Sequence, residues 1–344
     1  LKNSESLLKK NIHPTIITKG FRLANEKAQE LLNEMAVKVS DDETLLNIAT
    51  TAMTGKGAEY SKEKLAKISV KAVKLVHDNN ITNIKLVKTV EGSVDDTELI
   101  DGIVFDNERV HSSMPSYVEN AKITLIDASL EVKITETESK IQISSPLDMQ
   151  AYINQEENML KNMVDKIVDS GADVVFCQKG IEDIVQHFLA RKGIFAVRRI
   201  KKSDMEKLSR ATGANIVSNI DSLSKKDVGY AGIVEEKKSG NENMVFVKNC
   251  KDPGSVTILI KGGTEHVVAE VKRAVEDALG DVASTLKNKK AVAGAGASEI
   301  ELSRKLIEFA NTLSGKEKLA VEAFAKSLEV IPLTLAENAG LNPI

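Results

Sequence analysis

Val271-Lys272-Arg273-Ala274-Val275-Glu276-Asp277-Ala278-Leu279, then a lysine-rich link, then Ala293-Gly294-Ala295-Gly296-Ala297-Ser298, is the stretch on which the reading of this chain turns. The first part has a helical period, with Val271, Ala274, Val275, Ala278 and Val282 on one face. Asp277 lies about 240° around from Val271 at ~100° per residue, off that apolar face. The second part is a glycine turn that opens a further amphipathic run through Leu306. Such a turn leaves backbone N–H groups free, and glycine lets a phosphate approach them closely. A carboxylate on one element and a phosphate-tolerant turn on the next supply half of a nucleotide-hydrolysis site. A plainer role fits the same residues. Glu276 and Asp277 suit a solvated helix face, with Arg273 and Asp277 as an i,i+4 pair. Gly294 and Gly296 lack the third glycine of a dinucleotide fingerprint, because Glu299 holds that position, and no Gly-x-x-x-x-Gly-Lys-Ser/Thr loop occurs.

The chain has 344 residues, which implies two or three domains, and its 42% hydrophobic content is ample for their cores. Aromatic residues make up only 3% and tryptophan is absent, which argues against sugar- or base-stacking surfaces. The net charge is −3 with the two signs interspersed, so no nucleic-acid partner is expected. Cys177 sits in an apolar run and reads as a small buried hydrophobe. The two cysteines and five histidines show no metal-ligand spacing, so no metal-binding side-chain cluster is expected. Nothing resembles a signal peptide or a membrane span, which implies a cytoplasmic protein with no membrane partner.

Residues 1–39 read as helical, with Pro14 in a first turn and Ile17, Phe21, Ala24, Ala28, Leu31, Leu32 and Met35 on one face. Helices follow over 42–53 and 61–78, separated by Thr54-Gly55-Lys56-Gly57, a tight polar loop that also suits a helix C-cap. Short strands are expected near 84–89 and 102–106, and a domain boundary near Pro115. From 121 onward strands and helices alternate. Strands are expected at 123–126, 173–177, 195–197, 215–217, 230–236, 244–247 and 255–260. A polar hairpin is expected at 130–134 and 140–144. Helix 181–191 places Ile181, Ile184, Val185, Phe188 and Leu189 on one face, and a further helix covers 203–212. This is an α/β domain inserted between two more helical halves.

Ser145 and Pro146 open a helix reaching about Ser170. Its second half has an apolar face of Leu160, Met163, Val164 and Ile167. Its first half mixes Met149, Tyr152 and Ile153 with Gln155, Glu156 and Glu157, which fits a long surface helix. Lys261-Gly262-Gly263-Thr264 joins the last strand to the Asp277 helix and suits either a phosphate cradle or a hinge. The hinge is preferred, because Lys261 precedes the glycines and no lysine and serine follow them to complete a phosphate loop. Helices at 299–313 and 317–331, the latter stopped by Pro332, and a short one through Glu337 close the chain.

Several blocks carry a family resemblance. They are Asn11-Ile12-His13-Pro14-Thr15, Thr54-Gly55-Lys56-Gly57, Cys177-Gln178-Lys179-Gly180, Ala196-Val197-Arg198-Arg199, Val275 to Leu279 with the glycine turn and Glu299-Ile300-Glu301-Leu302, and Leu335-Ala336-Glu337-Asn338-Ala339-Gly340-Leu341. In that order, and over nearly the whole chain, the sequence resembles the group II chaperonins, the archaeal thermosome family. The resemblance implies a multidomain α+β and α/β subunit. Residues 1–41 and 294–344 would be a partial helical equatorial domain, and 42–110 with 262–293 an intermediate domain. Residues 111–261 would be an apical substrate-binding domain with a helical lid protrusion near 145–170.

The implied activity is ATP-driven folding of unfolded polypeptides inside a double-ring chamber, with ATP and Mg as cofactors. Implied partners are the polypeptide clients and other copies or paralogous subunits of the ring. Asp277 would position or deprotonate the attacking water, Lys56 would sense the terminal phosphate, and Gly294, Ala295 and Gly296 would lie against the nucleotide. Gly262 and Gly263 would be the hinge. Ala295 departs from the family's run of three glycines, which narrows the backbone approach there. The family's Gly-Asp-Gly-Thr-Thr phosphate loop, its early metal-contacting aspartate and its C-terminal nucleotide contacts have no counterpart in these residues. The resemblance therefore implies an incomplete chain, which alone would turn over ATP weakly or not at all. Two other classes remain open on the residues: a non-enzymatic polypeptide-binding holdase, and a nucleotide- or phosphosugar-binding α/β enzyme with a helical cap.

Overall fold

The computed structural model describes residues 2–55, 57, 59–132, 146–240, 242–250 and 254–342. The first half of the chain forms α1 (Lys2–Lys9), α2 (Pro14–Met35), β1 (Val37–Lys38), α3 (Asp42–Met53), α4 (Lys62–Leu75), β2 (Ile84–Val90), β3 (Glu98–Ile100), β4 (Gly102–Phe105), β5 (Tyr117–Ile126) and α5 (Pro146–Asp169). Next come β6 (Val174–Cys177), α6 (Asp183–Arg191), β7 (Phe195–Val197), α7 (Lys202–Thr212), β8 (Ile216–Val217), β9 (Gly229–Ser239), β10 (Glu242–Cys250) and β11 (Val256–Gly262). The last elements are α8 (Glu265–Asn288), β12 (Lys290–Ala291), α9 (Ala297–Thr312), α10 (Glu317–Leu328) and α11 (Val330–Asn338). They gather into two units, one of Leu1–Asp41 with Asn288–Ile344 and the other of Asp42–Lys287.

The first unit is helical. Asn11 takes a left-handed φ of 55° and ends α1, and the His13 ring nitrogen accepts the Thr15 amide at 3.3 Å to cap α2, with Pro14 first in the helix. The apolar face of α2 buries Ile17, Ala24, Ala28 and Leu31 against α9 and α10, where Leu302, Leu306, Ala310, Ala320, Val321 and Ala325 close the core. The helical reading of 1–39 needs correction at its end. Val37 and Lys38 form β1, paired antiparallel with Ala291 and Lys290. Pro332 does not stop a helix. The break comes between Leu328 and Val330, and Pro332 occupies the first turn of α11, where its missing N–H has no helical partner to lose.

The second unit is built on two sheets. The larger runs β4-β10-β9-β5-β6-β7 with β8 also on β5, antiparallel on the β9 side and parallel where β5 meets β6 and β8. The parallel strands β6 and β7 are buried throughout, as expected where helices cover both faces. One core cluster includes Ile123, Leu125, Phe176, Phe195, Met205 and Leu208. A second, on the α5 and α6 side, includes Leu160, Val164, Ile167, Val185 and Leu189. The smaller sheet is β2-β11-β3, parallel between β2 and β11. A cluster of Val87, Ile100, Val104, Met244, Phe246 and Leu259 joins the two sheets.

Within this unit α5 is divided as its sequence suggests. Leu160, Val164 and Ile167 are buried, while Met149, Tyr152 and Ile153 are exposed. The expected α6 face is corrected at Ile184, which is 44% exposed, because α6 buries Val185, Gln186 and Leu189 instead. Of the hairpin at 130–134 and 140–144, residues 133–145 lie outside the described residues, and Leu130 bridges in parallel to Ile181. No helix of the described residues is long and apolar enough to cross a membrane.

Candidate functional site

The expected site residues divide between the two units. In the second unit, α8 buries Val268, Val271, Ala274, Val275, Ala278, Leu279 and Val282, as its period requires. Its outer stripe carries Glu270, Arg273, Asp277 and Asp281, all exposed. Glu270 and Asp277 are seven residues apart. At ~100° per residue that returns them to within about 20° of one another, roughly 10 Å apart along the axis.

The turn between α3 and α4 is fastened by two carboxylates. The Gly55 amide donates to Glu59 Oε2 at 2.7 Å, and the Gly57 amide donates to Glu270 Oε1 at 3.0 Å. Hydrogen bonding from Lys62 and then from the Gly55 amide holds the Glu59 carboxyl below its ordinary range. A Cβ built on Gly57 would lie 2.7 Å from Glu270 Oε2, so only glycine fits there with the carboxylate in place. Lys56 lies outside the described residues. The structure thus brings Gly57 onto the stripe of α8 that carries Asp277. Glu59 and Glu270 were missed in the sequence. The seven-residue spacing of Glu270 from Asp277 was the one signal available for the latter.

Gly262 is the last residue of β11, paired with Val90 and buried, and a Cβ there would lie 2.9 Å from Val268 Cγ2. Gly263 is exposed in the bend before α8, with open space where a Cβ would stand.

In the first unit, Gly294 and Ala295 are exposed, and Gly296 is buried as the residue before α9. Ala295 and Gly296 both take left-handed φ, 57° and 83°. The turn closes on itself through Ala297 N–H to Gly294 O at 3.1 Å and through the Ser298 hydroxyl to Ala293 O. A Cβ on Gly294 would meet nothing within 4 Å, so the turn is open on that side. The first-turn amides of α9 have no partner inside the helix and form its electropositive end. These features fit a phosphate oxygen. Among the described residues no three or more His, Cys, Asp or Glu side chains gather as a metal cage, and Mg²⁺ held mainly by phosphate oxygens and water needs none.

The sequence profile of the TCP-1/cpn60 chaperonin family matches residues 1–344. A thermosome subunit of Pyrococcus horikoshii is 59% identical over 353 residues, and thermosome subunit beta of Methanothermobacter thermautotrophicus is 55% identical over 347. Both alignments take in 100% of this chain but 64% of the relative, so the chain spans about two thirds of their length at most. Among solved structures, the open state monomer of a group II chaperonin from Methanococcoides burtonii is 46% identical. It superposes with a TM-score of 0.75 over 100% of this chain and 82% of that one.

Proposed function

Because the chain belongs to the TCP-1/cpn60 chaperonin family, we propose that it is the greater part of an ATP-hydrolysing subunit that folds unfolded polypeptides within a double ring. In this reading Leu1–Asp41 and 294–344 are equatorial, 42–110 and 262–293 intermediate, and 111–261 apical. The separate clustering of Leu1–Asp41 with Asn288–Ile344 supports the first assignment. The exposed Met149, Tyr152 and Ile153 on α5 support a lid or client-facing role for that helix.

The observation that carries the reading is the fastening of the 54–57 turn to the outer stripe of α8 through Gly57 and Glu270. Asp277 on that stripe is the general base or water-positioning carboxylate, a role worth roughly 10²–10⁴-fold in rate. Gly294, Ala295 and Gly296 offer backbone amides to a phosphate, and Lys56 reports on the terminal phosphate. Bound Mg²⁺ neutralises phosphate charge. Gly263, exposed and with open space where a Cβ would stand, absorbs backbone rotation between β11 and α8, with Gly262 held in the sheet beside it. Moving a lid from mostly open to mostly closed requires about 5.5 kcal/mol of differential affinity. One lysine and one helix supply less than that, which favours a switch shared among the subunits of a ring.

The test is Asp277→Ala in the full-length protein. Hydrolysis should be abolished while nucleotide still binds, and hydrolysis at the wild-type rate would overturn the assignment. A client-binding holdase without turnover is the second reading, favoured by the same exposed α5 residues. It predicts client capture that is indifferent to ATP.

A further inference from the structure

Two carboxylates hold the two glycine amides of the 54–57 turn. Glu59 is local, four residues from Gly55 in the chain, whereas Glu270 is 213 residues from Gly57. The distant one belongs to α8, two helical turns before Asp277 and on the same exposed stripe. Any side chain at residue 57 would run into the Glu270 carboxylate and push it off the amide. A backbone amide donating to an ionised carboxylate is a charge-assisted bond, stronger than a neutral one. A helix is stiff over two turns, so a shift of Asp277 along or about the α8 axis is passed to Glu270 and from there to Gly57.

We propose that Glu270 is a positioning residue for ATP hydrolysis. It moors the 54–57 turn to α8, so that the phosphate-sensing turn and the Asp277 carboxylate move as one body. The proposal rests on the roles given above to Asp277 and Lys56. Glu270 acts through Gly57 and not on the nucleotide itself. Its side-chain oxygen has to stay within reach of one amide, and nothing else is asked of it.

The test uses full-length protein with Glu270→Ala, Glu270→Gln and, independently, Gly57→Ala, which displaces the carboxylate from the other side. Two quantities are read: amide hydrogen exchange in the segment 54–60, and kcat and KM for ATP. Glu270→Ala and Gly57→Ala should each speed exchange in that segment about ten-fold and lower kcat about ten-fold, with KM changed less than about two-fold. Glu270→Gln keeps a carbonyl acceptor and should stay within about three-fold of wild type in both. Exchange in α4 and in β2-β11-β3 should not change. The proposal is overturned by wild-type exchange at 54–60 in Glu270→Ala, by faster exchange with unaltered kcat, or by faster exchange throughout the unit. A normal rate in Asp277→Ala would instead remove the functional reading beneath it. The two failures are therefore told apart by which variant keeps its activity.

Discussion

The Lys85 ammonium lies 2.8 Å from the Asp204 carboxylate and 4.5 Å from the centre of the Phe105 ring. The side chains of the pair are only 14% and 11% exposed. Lys85 is on β2 of the small sheet and Asp204 on α7 of the large one, so this ion pair spans the joint between them. Arg210 of α7 makes a second tie, to the Asn83 side chain, and Glu91 makes a third beyond the other end of β2. Its Oε2 accepts from Ser239 Oγ at 2.8 Å and from the Gly240 amide at 3.0 Å. The joint is thus apolar at its middle and polar at both ends of β2. Removing one partner of a nearly buried pair strands the other charge and costs about 3–5 kcal/mol, whereas replacing both with apolar side chains is often nearly neutral. Lys85→Met alone should therefore lower stability by about that amount, and Lys85→Met with Asp204→Leu should recover most of it. Guanidinium unfolding of the four members of the cycle measures the coupling. A coupling below about 0.5 kcal/mol would show that the pair does not hold the joint.

Gly20 offers a prediction whose sign runs against helix propensity. It lies inside α2, where alanine is ordinarily favoured by about 1 kcal/mol. Here a Cβ would come 2.5 Å from Ala320 Cβ and 2.8 Å from Glu317 O on α10. Both are parts of a packed helix rather than ends of flexible side chains, so α2 and α10 would have to separate. Overpacking of that kind costs about 1–3 kcal/mol. Gly20→Ala should lower the unfolding free energy by up to about 2 kcal/mol net, measured by calorimetry or denaturant. A rise in stability would mean that the two helices are not in close contact in solution.

What the sequence makes legible here follows the range of each signal. The buried face of α8 and the placement of Asp277 off it can be read from period alone, because Val271, Ala274, Val275 and Ala278 repeat within two turns. The divided character of α5 is legible for the same reason. The pairing of β1 with β12 is not, since two residues per strand carry no alternation and the partners are far apart in sequence. Ile184 was assigned to the α6 core on spacing, yet Gln186 is buried in its stead, its amide nitrogen donating to Ile181 O at 2.7 Å and to Asp183 Oδ1 at 3.0 Å. A buried amide satisfied by local acceptors looks like a surface residue in any hydrophobic pattern. Glu270 stayed hidden because its role depends on a contact with Gly57 that only the tertiary fold creates.

Glu235 on β9 gives the large sheet a defined pH dependence. Burial alone would raise its pKa, but hydrogen bonds from Lys237 and Lys248, at 2.9 and 3.1 Å, and their charges outweigh that and bring it below the ordinary 4.5. A carboxylate with a depressed folded-state pKa binds fewer protons folded than unfolded. Its contribution is present above about pH 4.5 and is lost as the pH falls through the lower, folded-state value. Glu235→Gln should therefore be less stable than wild type at pH 7, and the gap should narrow steadily below pH 4.5. Unfolding free energies at neutral and acidic pH for both proteins check this. A gap that does not change with pH would assign the residue a packing role instead.

Ala295 carries the last prediction, in which stability and ligand contact are expected to move together. Its φ of 57° is in the left-handed region, where a Cβ crowds the following carbonyl and costs about 1–2 kcal/mol. Glycine removes that crowding but gives the unfolded chain more freedom, which takes back about 0.4–1 kcal/mol. The net expectation for Ala295→Gly is a gain of up to about 1.5 kcal/mol. The same change strips a methyl group from an exposed turn next to Gly294, on whose side the turn is already open, and from the approach to the first amides of α9. If that turn seats a phosphate, the variant should bind nucleotide more tightly in the full-length protein, in addition to unfolding at a higher temperature. Calorimetric titration and thermal unfolding measure the two effects separately. Higher thermal stability with unaltered nucleotide affinity would leave the strain argument standing and take Ala295 out of the binding site.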